Sequence, residues 1–222
     1  MEDRTRNIKS FAIRSSRMRS SMKAIYNEFY DKFCIEYDEK ELPLKEYFAH
    51  DKIIVEIGFG MGDATIEIAR KNINTTYIAI DVHKPGIAKI LREINEKKLE
   101  NIRVIEHDAV EVFEKMIPDG SLEGIHVFFP DPWPKKRHHK RRLIKDEFIS
   151  LIGRKLKDGG YLYICTDWED YAFWIMDVMT NQGLLKNKYD DFASHQEWRP
   201  LTKFEKKGLD KDHKIWEIMF VK

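Results

Sequence analysis

The stretch KIIVEIGFGMGDATIEIARKN, residues 52–72, changes its hydrophobic period halfway along. KIIVEIG (52–58) is a short β-branched apolar run of the length of a buried strand, whereas DATIEIARKN (63–72) carries its apolar residues at helical spacing. Between them stand Gly58, Gly60 and Gly62. Glycines at a strand-to-helix turn permit tight bends and let a ligand come close to the backbone. Strand, glycine turn and helix in that order form the opening unit of a doubly wound α/β sheet.

Downstream the pattern repeats. TYIAID (76–81), NIRVIEHD (101–108), GIHVFFPD (124–131) and GYLYICTD (160–167) read as strands. PGIAKILREINEKKL (85–99), AVEVFEKM (109–116) and RLIKDEFISLIGRKL (142–156) read as the helices between them, with Ile87, Ile90, Leu91 and Ile94 making one apolar face of the first. Such alternation predicts a mostly parallel sheet with helices on both faces. HKIWEIMFVK (213–222) is one more strand, expected to pair antiparallel near the sheet edge.

Five acids lie at or just beyond the predicted strand ends: Glu56, Asp81, Asp108, Asp131 and Asp167. Ligands of open α/β sheets bind outside the carboxyl ends of the strands, so these acids are expected to converge on one crevice. The glycines follow G-x-G-x-G rather than the dinucleotide fingerprint G-x-G-x-x-G. A pyrophosphate at this turn would also meet Glu56, and like charges repel strongly where water is partly excluded. S-adenosyl-L-methionine carries no phosphate, brings an ammonium and a sulfonium, and has a ribose diol that suits Asp81. The methyl donor is thus favoured over a dinucleotide or a turn with no ligand.

PDPWPKKRHHKRR (130–142) places three prolines around Asp131 and Trp133 and then eight consecutive basic or histidine residues. Proline fixes its own backbone and restricts its neighbour, so Asp131 is presented stiffly. Trp133 offers a surface for base stacking, and a basic run beside an aromatic platform suits nucleic acid. Lys135, nearest the acid, is the candidate to hold substrate; Lys136, Arg137, Lys140, Arg141 and Arg142 are expected to track a phosphate backbone. Taken alone, the proline-rich turn also reads as a cover for the core, the basic run as a solvated face, and Asp167 in TDWEDYA as a helix N-cap. LTKFEKKG (201–208) adds Thr202, Lys203, Phe204 and Glu205 in a loop near a sheet edge.

The 222 residues fit one domain, read as a basic N-terminal arm over 1–30 and a single domain over 31–222. The stretch RTRNIKSFAIRSSRMRSSMK (4–23) has the composition of a transit peptide, but Glu2 and Asp3 precede it and favour an arm or tail. With 39 Lys and Arg against 38 Asp and Glu the net charge is only +1, so affinity for a polyanion must come from local clustering. Cys34 and Cys165 suggest neither a zinc site nor a disulfide framework, in keeping with a reducing cytoplasm. No apolar run approaches the ~20 residues of a membrane span.

In their order, EIGFGMGD, DVHKPGI, PDPWPKKRHHKRR, TDWEDYA and TKFEKKG resemble the bacterial tRNA (guanine-N7)-methyltransferases over roughly residues 6–222. The proline and basic motif is the specific one; the glycine turn alone is not. The resemblance implies a class I S-adenosylmethionine-dependent methyltransferase fold and the guanine at tRNA position 46, in the variable loop, as target. It puts the donor-binding acids at Glu56, Asp81, Asp108 and Asp131, the last also as the active residue. It puts substrate contacts at Lys135, Asp167 and Thr202 to Glu205. Asp81 stands where many members carry Glu, which changes reach more than role. The basic arm also looks like the family's. A tRNA partner is expected, with no DNA, membrane or metal ion; a homo-oligomer is compatible with the sequence but not specified by it. The competing readings are a methyltransferase acting on an exocyclic amine, a non-catalytic RNA-binding protein of Rossmann-like fold, and an NAD-dependent oxidoreductase.

Overall fold

A computed structural model describes residues 9–11, 18–202, 205 and 214–222. Helix α1 (Ser20–Phe33) and the single turn α2 (Leu44–Tyr47) precede an alternating series. It runs β1 (Ile53–Ile57), α3 (Asp63–Lys71), β2 (Thr76–Asp81), α4 (Lys84–Glu96), β3 (Ile102–Glu106), α5 (Ala109–Lys115) and β4 (Leu122–Phe128). After a short 3-10 helix (Lys136–Arg141) come α6 (Asp146–Lys155), β5 (Leu156–Thr166), α7 (Glu169–Gln182), the two-residue β6 (Lys186–Asn187) and β7 (Trp216–Val221).

The strands form one sheet in the order β3-β2-β1-β4-β5-β7-β6. The first five are parallel, and β7 runs antiparallel between β5 and β6. Alternate residues explain why the sheet is covered on both sides. In β1, Ile54 joins Ala79 and Val104 against Ile66 of α3 and Ile87, Ile90 and Leu91 of α4, while Val55 and Ile57 join Ile78 and Ile80 against Phe113 of α5 and Phe148 of α6. Strands buried on both faces become nearly continuous apolar runs, which is how they read in the sequence. The chain order reverses between β1 and β4, so the crevice opens at the carboxyl ends of these two strands.

Two boundaries differ from the sequence reading. Residue 30 falls inside α1, whose Phe33 is buried and whose end is tied to β3 by Ile35 N–H donating to the Val104 carbonyl (2.8 Å). Helix α1 packs on α4 and meets the edge strand β3, shielding that edge of the sheet. The helix expected from Arg142 starts instead at Asp146; the basic run before it forms the 3-10 turn. Thr202 and Glu205 belong to the described residues, whereas Lys203 and Phe204 lie outside them.

Beside β5 and β7 a buried ionic cluster anchors the chain between α7 and β7. Arg199 donates to both carboxylate oxygens of Glu205 (2.7 Å each), to Glu217 (2.5 Å) and to the Tyr163 hydroxyl (3.0 Å). Arg199, Glu205 and Glu217 are 1%, 0% and 4% exposed. Burial works to raise the Glu217 carboxyl, but hydrogen bonds with Tyr163, Arg199 and His195 bring it below the ordinary range. Glu205, expected to touch substrate, is spent on this cluster and on the Thr202 amide (2.8 Å), a correction that follows from its complete burial. Arg199→Met leaves two buried carboxylates without their cation and is expected to cost about 3–5 kcal/mol. Urea unfolding measures it; a loss below about 1 kcal/mol would contradict the assignment of Arg199 as the anchor.

Candidate active site

The turn after β1 is held open from below. Gly58, Gly60 and Gly62 all have positive φ (75°, 59° and 74°), and a side chain added at Gly58 or Gly60 would point into empty space. From the other side α4 presses on the turn: a Cβ on Gly86 would lie 1.8 Å from the Gly60 carbonyl oxygen. Gly86 was not singled out in the sequence; the signal available there was an isolated glycine inside a helical pattern, which can mark a packing constraint.

Asp81, the last residue of β2, fixes this turn. One carboxylate oxygen accepts from Gly60 N–H (2.7 Å), and the other from Val82 N–H (2.7 Å) and His83 N–H (2.9 Å). With the glycine turn it lines a cleft of about 790 Å³, together with Asp108, Asp131, Glu106, His107 and an apolar floor of Ile57, Val127 and Phe128. Asp108 caps α5 through the Val110 amide (3.0 Å) and faces Lys9 at 3.8 Å. Burial raises its carboxyl, against the lowering effect of the Val110 amide and Lys9. Glu106, not singled out in the sequence, accepts from the Tyr26 hydroxyl (2.6 Å) and faces Lys84 (3.5 Å).

Glu56 is not on the cleft surface. It is 3% exposed, beneath the turn, and desolvation pushes its carboxyl up to about 8, with a smaller contribution from Asp81. A cationic group above the turn would draw its ionised form out. The cleft's volume is that of a small-molecule site, its rim is acidic, and its glycine wall leaves room for a ligand against the backbone. These residues fit a nucleoside methyl donor, a diol at Asp81 and cationic groups among the acids. Gly62 does not line the cleft; its place is against Ile90 of α4.

The fourth wall is the proline loop. Phe129 and Trp133 adopt left-handed φ values of 51° and 45° on either side of Pro130–Asp131–Pro132. For bulky side chains this costs on the order of 1–3 kcal/mol each and persists only where surrounding contacts impose it. Phe129 N–H donates to the Cys165 carbonyl (2.8 Å), and the Trp133 indole donates to the Ser10 carbonyl (3.1 Å). Arg142 Nε donates to the Pro132 carbonyl (2.9 Å), while its guanidinium pairs with Asp170 and lies over the Tyr171 and Trp174 rings (4.9 Å each). At 1% exposure Arg142 cannot track a phosphate backbone; that expectation is corrected, because its charge is enclosed under the loop. Asp131 itself is exposed on the cleft rim.

Lys135, Lys136, Arg137 and Lys140 are exposed on the segment that follows the proline loop, and Arg141 lies half-buried over the Trp133 ring at 5.1 Å. Asp167 follows β5, half-buried and outside the cleft lining. Thr202 borders a separate hollow of about 450 Å³ against α3 and α4. The described part of the N-terminal arm, Lys9 to Phe11, lies across the cleft, a placement no local motif announced.

A family model described as "Putative methyltransferase" matches residues 50–218. Among curated proteins, the tRNA (guanine-N(7)-)-methyltransferase of Neisseria meningitidis serogroup C / serotype 2a is 49% identical, covering 97% of this chain and 91% of the relative. That of Nitrosospira multiformis is 44% identical, covering 98% and 95%. Among solved structures, the 16S rRNA methyltransferase KamB aligns over 83% of this chain and 94% of its own, with TM-score 0.61 and 14% identity. At that identity the likeness speaks for the fold alone.

The buried Glu56 makes stability depend on pH. The folded chain keeps this proton up to about pH 8, whereas an ordinary glutamate releases it near 4.5, so the unfolded state binds fewer protons between these values. Stability contributed by this group therefore declines as pH rises through that window and levels off above 8. Glu56→Gln is expected to remove the decline, leaving the variant more stable than wild type at pH 8.5 by on the order of a few kcal/mol. Chemical denaturation across pH 5–9 checks this; identical pH profiles for the two proteins would contradict it.

Proposed function

The chain belongs to the tRNA (guanine-N7)-methyltransferase family, and on that premise we propose that it methylates N7 of a guanine in tRNA with S-adenosyl-L-methionine as donor. The observation that carries this reading is the meeting of an acidic, glycine-walled cleft with an exposed Asp131 and an exposed basic surface on one loop. When bound, the donor supplies an electrophilic methyl group on a sulfonium. Guanine N7 already has a free lone pair, so no proton has to be removed before attack.

The work left to the protein is alignment, which can lower a barrier by about 7–11 kcal/mol. Asp81 and the turn at Gly58 and Gly60 receive the nucleoside part of the donor, and Asp108 at the head of α5 borders the same space. Glu56 supplies negative charge from beneath when it ionises. Asp131 acts as a fixed carboxylate: it orients the purine or the donor and stabilises the positive charge that moves onto the base. It is not required as a general base.

Lys135 holds the substrate next to Asp131, and Lys136, Arg137 and Lys140 contact phosphates. Arg141 contacts phosphate with them, and Trp133 presents a stacking surface for a base taken out of tertiary pairing. Asp167 and Thr202 are assigned to the substrate side. The target position is 46 in the variable loop. A cytoplasmic location is part of this proposal and follows from the tRNA substrate; among the described residues no helix is long and apolar enough to cross a membrane.

Transfer of a labelled methyl group to unmodified tRNA, followed by identification of the product nucleoside, tests this reading. The expected product is 7-methylguanosine, absent when the variable-loop guanine is replaced. Asp131→Asn should lower kcat on the order of 10²-fold while tRNA is still bound. A methyl group on an exocyclic amine, or normal turnover by Asp131→Asn, would overturn the target atom or the role of Asp131 respectively.

A further inference from the structure

We propose that Arg142 is a positioning residue for methyl transfer: it clamps the Pro132 carbonyl and thereby holds Asp131 at the cleft rim. The proposal rests on the methyltransferase reading and extends it to a side chain that does not touch the reacting atoms. Pro132 lies between Asp131 and Trp133, and its carbonyl accepts from Arg142 Nε at 2.9 Å. A hydrogen bond to that atom fixes the Pro132–Trp133 peptide plane, one residue beyond the aspartate. It acts together with the contacts of Phe129 N–H with the Cys165 carbonyl and of the Trp133 indole with the Ser10 carbonyl, which hold the left-handed residues on either side of the acid.

The guanidinium is itself fixed from three sides. Tyr171 and Trp174 of α7 lie against it with ring centres 4.9 Å away, and Asp170 at the start of α7 pairs with its terminal nitrogen. The Tyr171 hydroxyl accepts from the Ile144 amide (3.3 Å), and the Trp174 indole donates to the Ile144 carbonyl (3.0 Å), so the same helix also holds the segment two residues beyond Arg142. The proline loop is thus braced against α7 by a charge that solvent does not reach. Lysine could not reproduce this arrangement, since a compact ammonium cannot stack on two rings and donate sideways to a carbonyl at once.

The test compares wild type, Arg142→Met and Asp170→Ala. Asp170 has a side chain 63% exposed, so its removal loosens the clamp from outside without opening the core. For each protein, kcat and KM for tRNA, donor affinity by calorimetry, the salt dependence of tRNA binding, and thermal unfolding are measured. Arg142→Met is expected to lose about 30-fold or more in kcat, and Asp170→Ala about 3- to 10-fold, on the scale of misaligned reacting groups. Donor affinity should change less than about 3-fold, and the slope of log K against log [salt] should stay at the wild-type value, since no phosphate contact is lost.

A salt slope shallower by about one unit with unchanged kcat would identify Arg142 as a phosphate contact and overturn the proposal. Unchanged kcat in Asp170→Ala, with Arg142→Met either equally active or unable to fold, would overturn it as well and leave Arg142 a core residue. Absence of methyl transfer by wild type would instead sink the underlying functional reading, so the two failures are distinguishable.

Discussion

Asp81 is bound from three directions by backbone N–H groups, and the site depends on that arrangement. Its contacts with Gly60, Val82 and His83 join the end of β1 to the end of β2 through one carboxylate. A glycine-rich turn has little stiffness of its own, because glycine gives up the most conformational freedom on folding. Here the turn is fixed by a charge-assisted grip above and by the close approach of Gly86 below. The cleft wall is held by the chain's own contacts, which is what a reaction governed by alignment requires.

The same device recurs along the sheet edge. Arg142 grips the loop after β4 and Arg199 grips the segment before β7, each a charged side chain almost removed from water. Each spends its charge on the chain itself. Burying such a group without partners would be costly, and each is supplied with several. Two stretches bordering the cleft, the glycine turn and the proline loop, and the segment before β7 outside it are therefore held in place by contacts of buried or half-buried charged side chains rather than by regular secondary structure.

Much of the architecture was legible because the physical signals were local. Strands such as TYIAID and helices such as PGIAKILREINEKKL carry their period within a few residues, and the structure places them at 76–81 and 84–96. Of the five strand-end acids expected to converge on one crevice, Asp81, Asp108 and Asp131 line the cleft, whereas Glu56 and Asp167 do not. What local pattern does not encode is which of several neighbouring charges turns inward. Arg142 ends a run of basic residues, and only the rings of Tyr171 and Trp174, about thirty residues on, decide that it is buried while Lys140 is not. Glu205 reads like a loop acid until Arg199 encloses it. Glu56 was read as facing the ligand, yet its position within β1 sets it under the turn. Glu106 went unnoticed because its role depends on Tyr26, eighty residues earlier.

The central claim is that the methyl donor lies in the strand-end cleft, against the glycine turn, with its reactive end toward Asp131. A crystal structure with S-adenosylhomocysteine, the product left after methyl transfer, tests it most directly. The account predicts the ribose hydroxyls within hydrogen-bonding distance of Asp81, the nucleoside against Gly58 and Gly60, and the sulfur facing the Pro130–Asp131–Pro132 loop. Density for the molecule in the hollow between α3, α4 and Thr202, or in the cleft with its ribose away from Asp81, would contradict it.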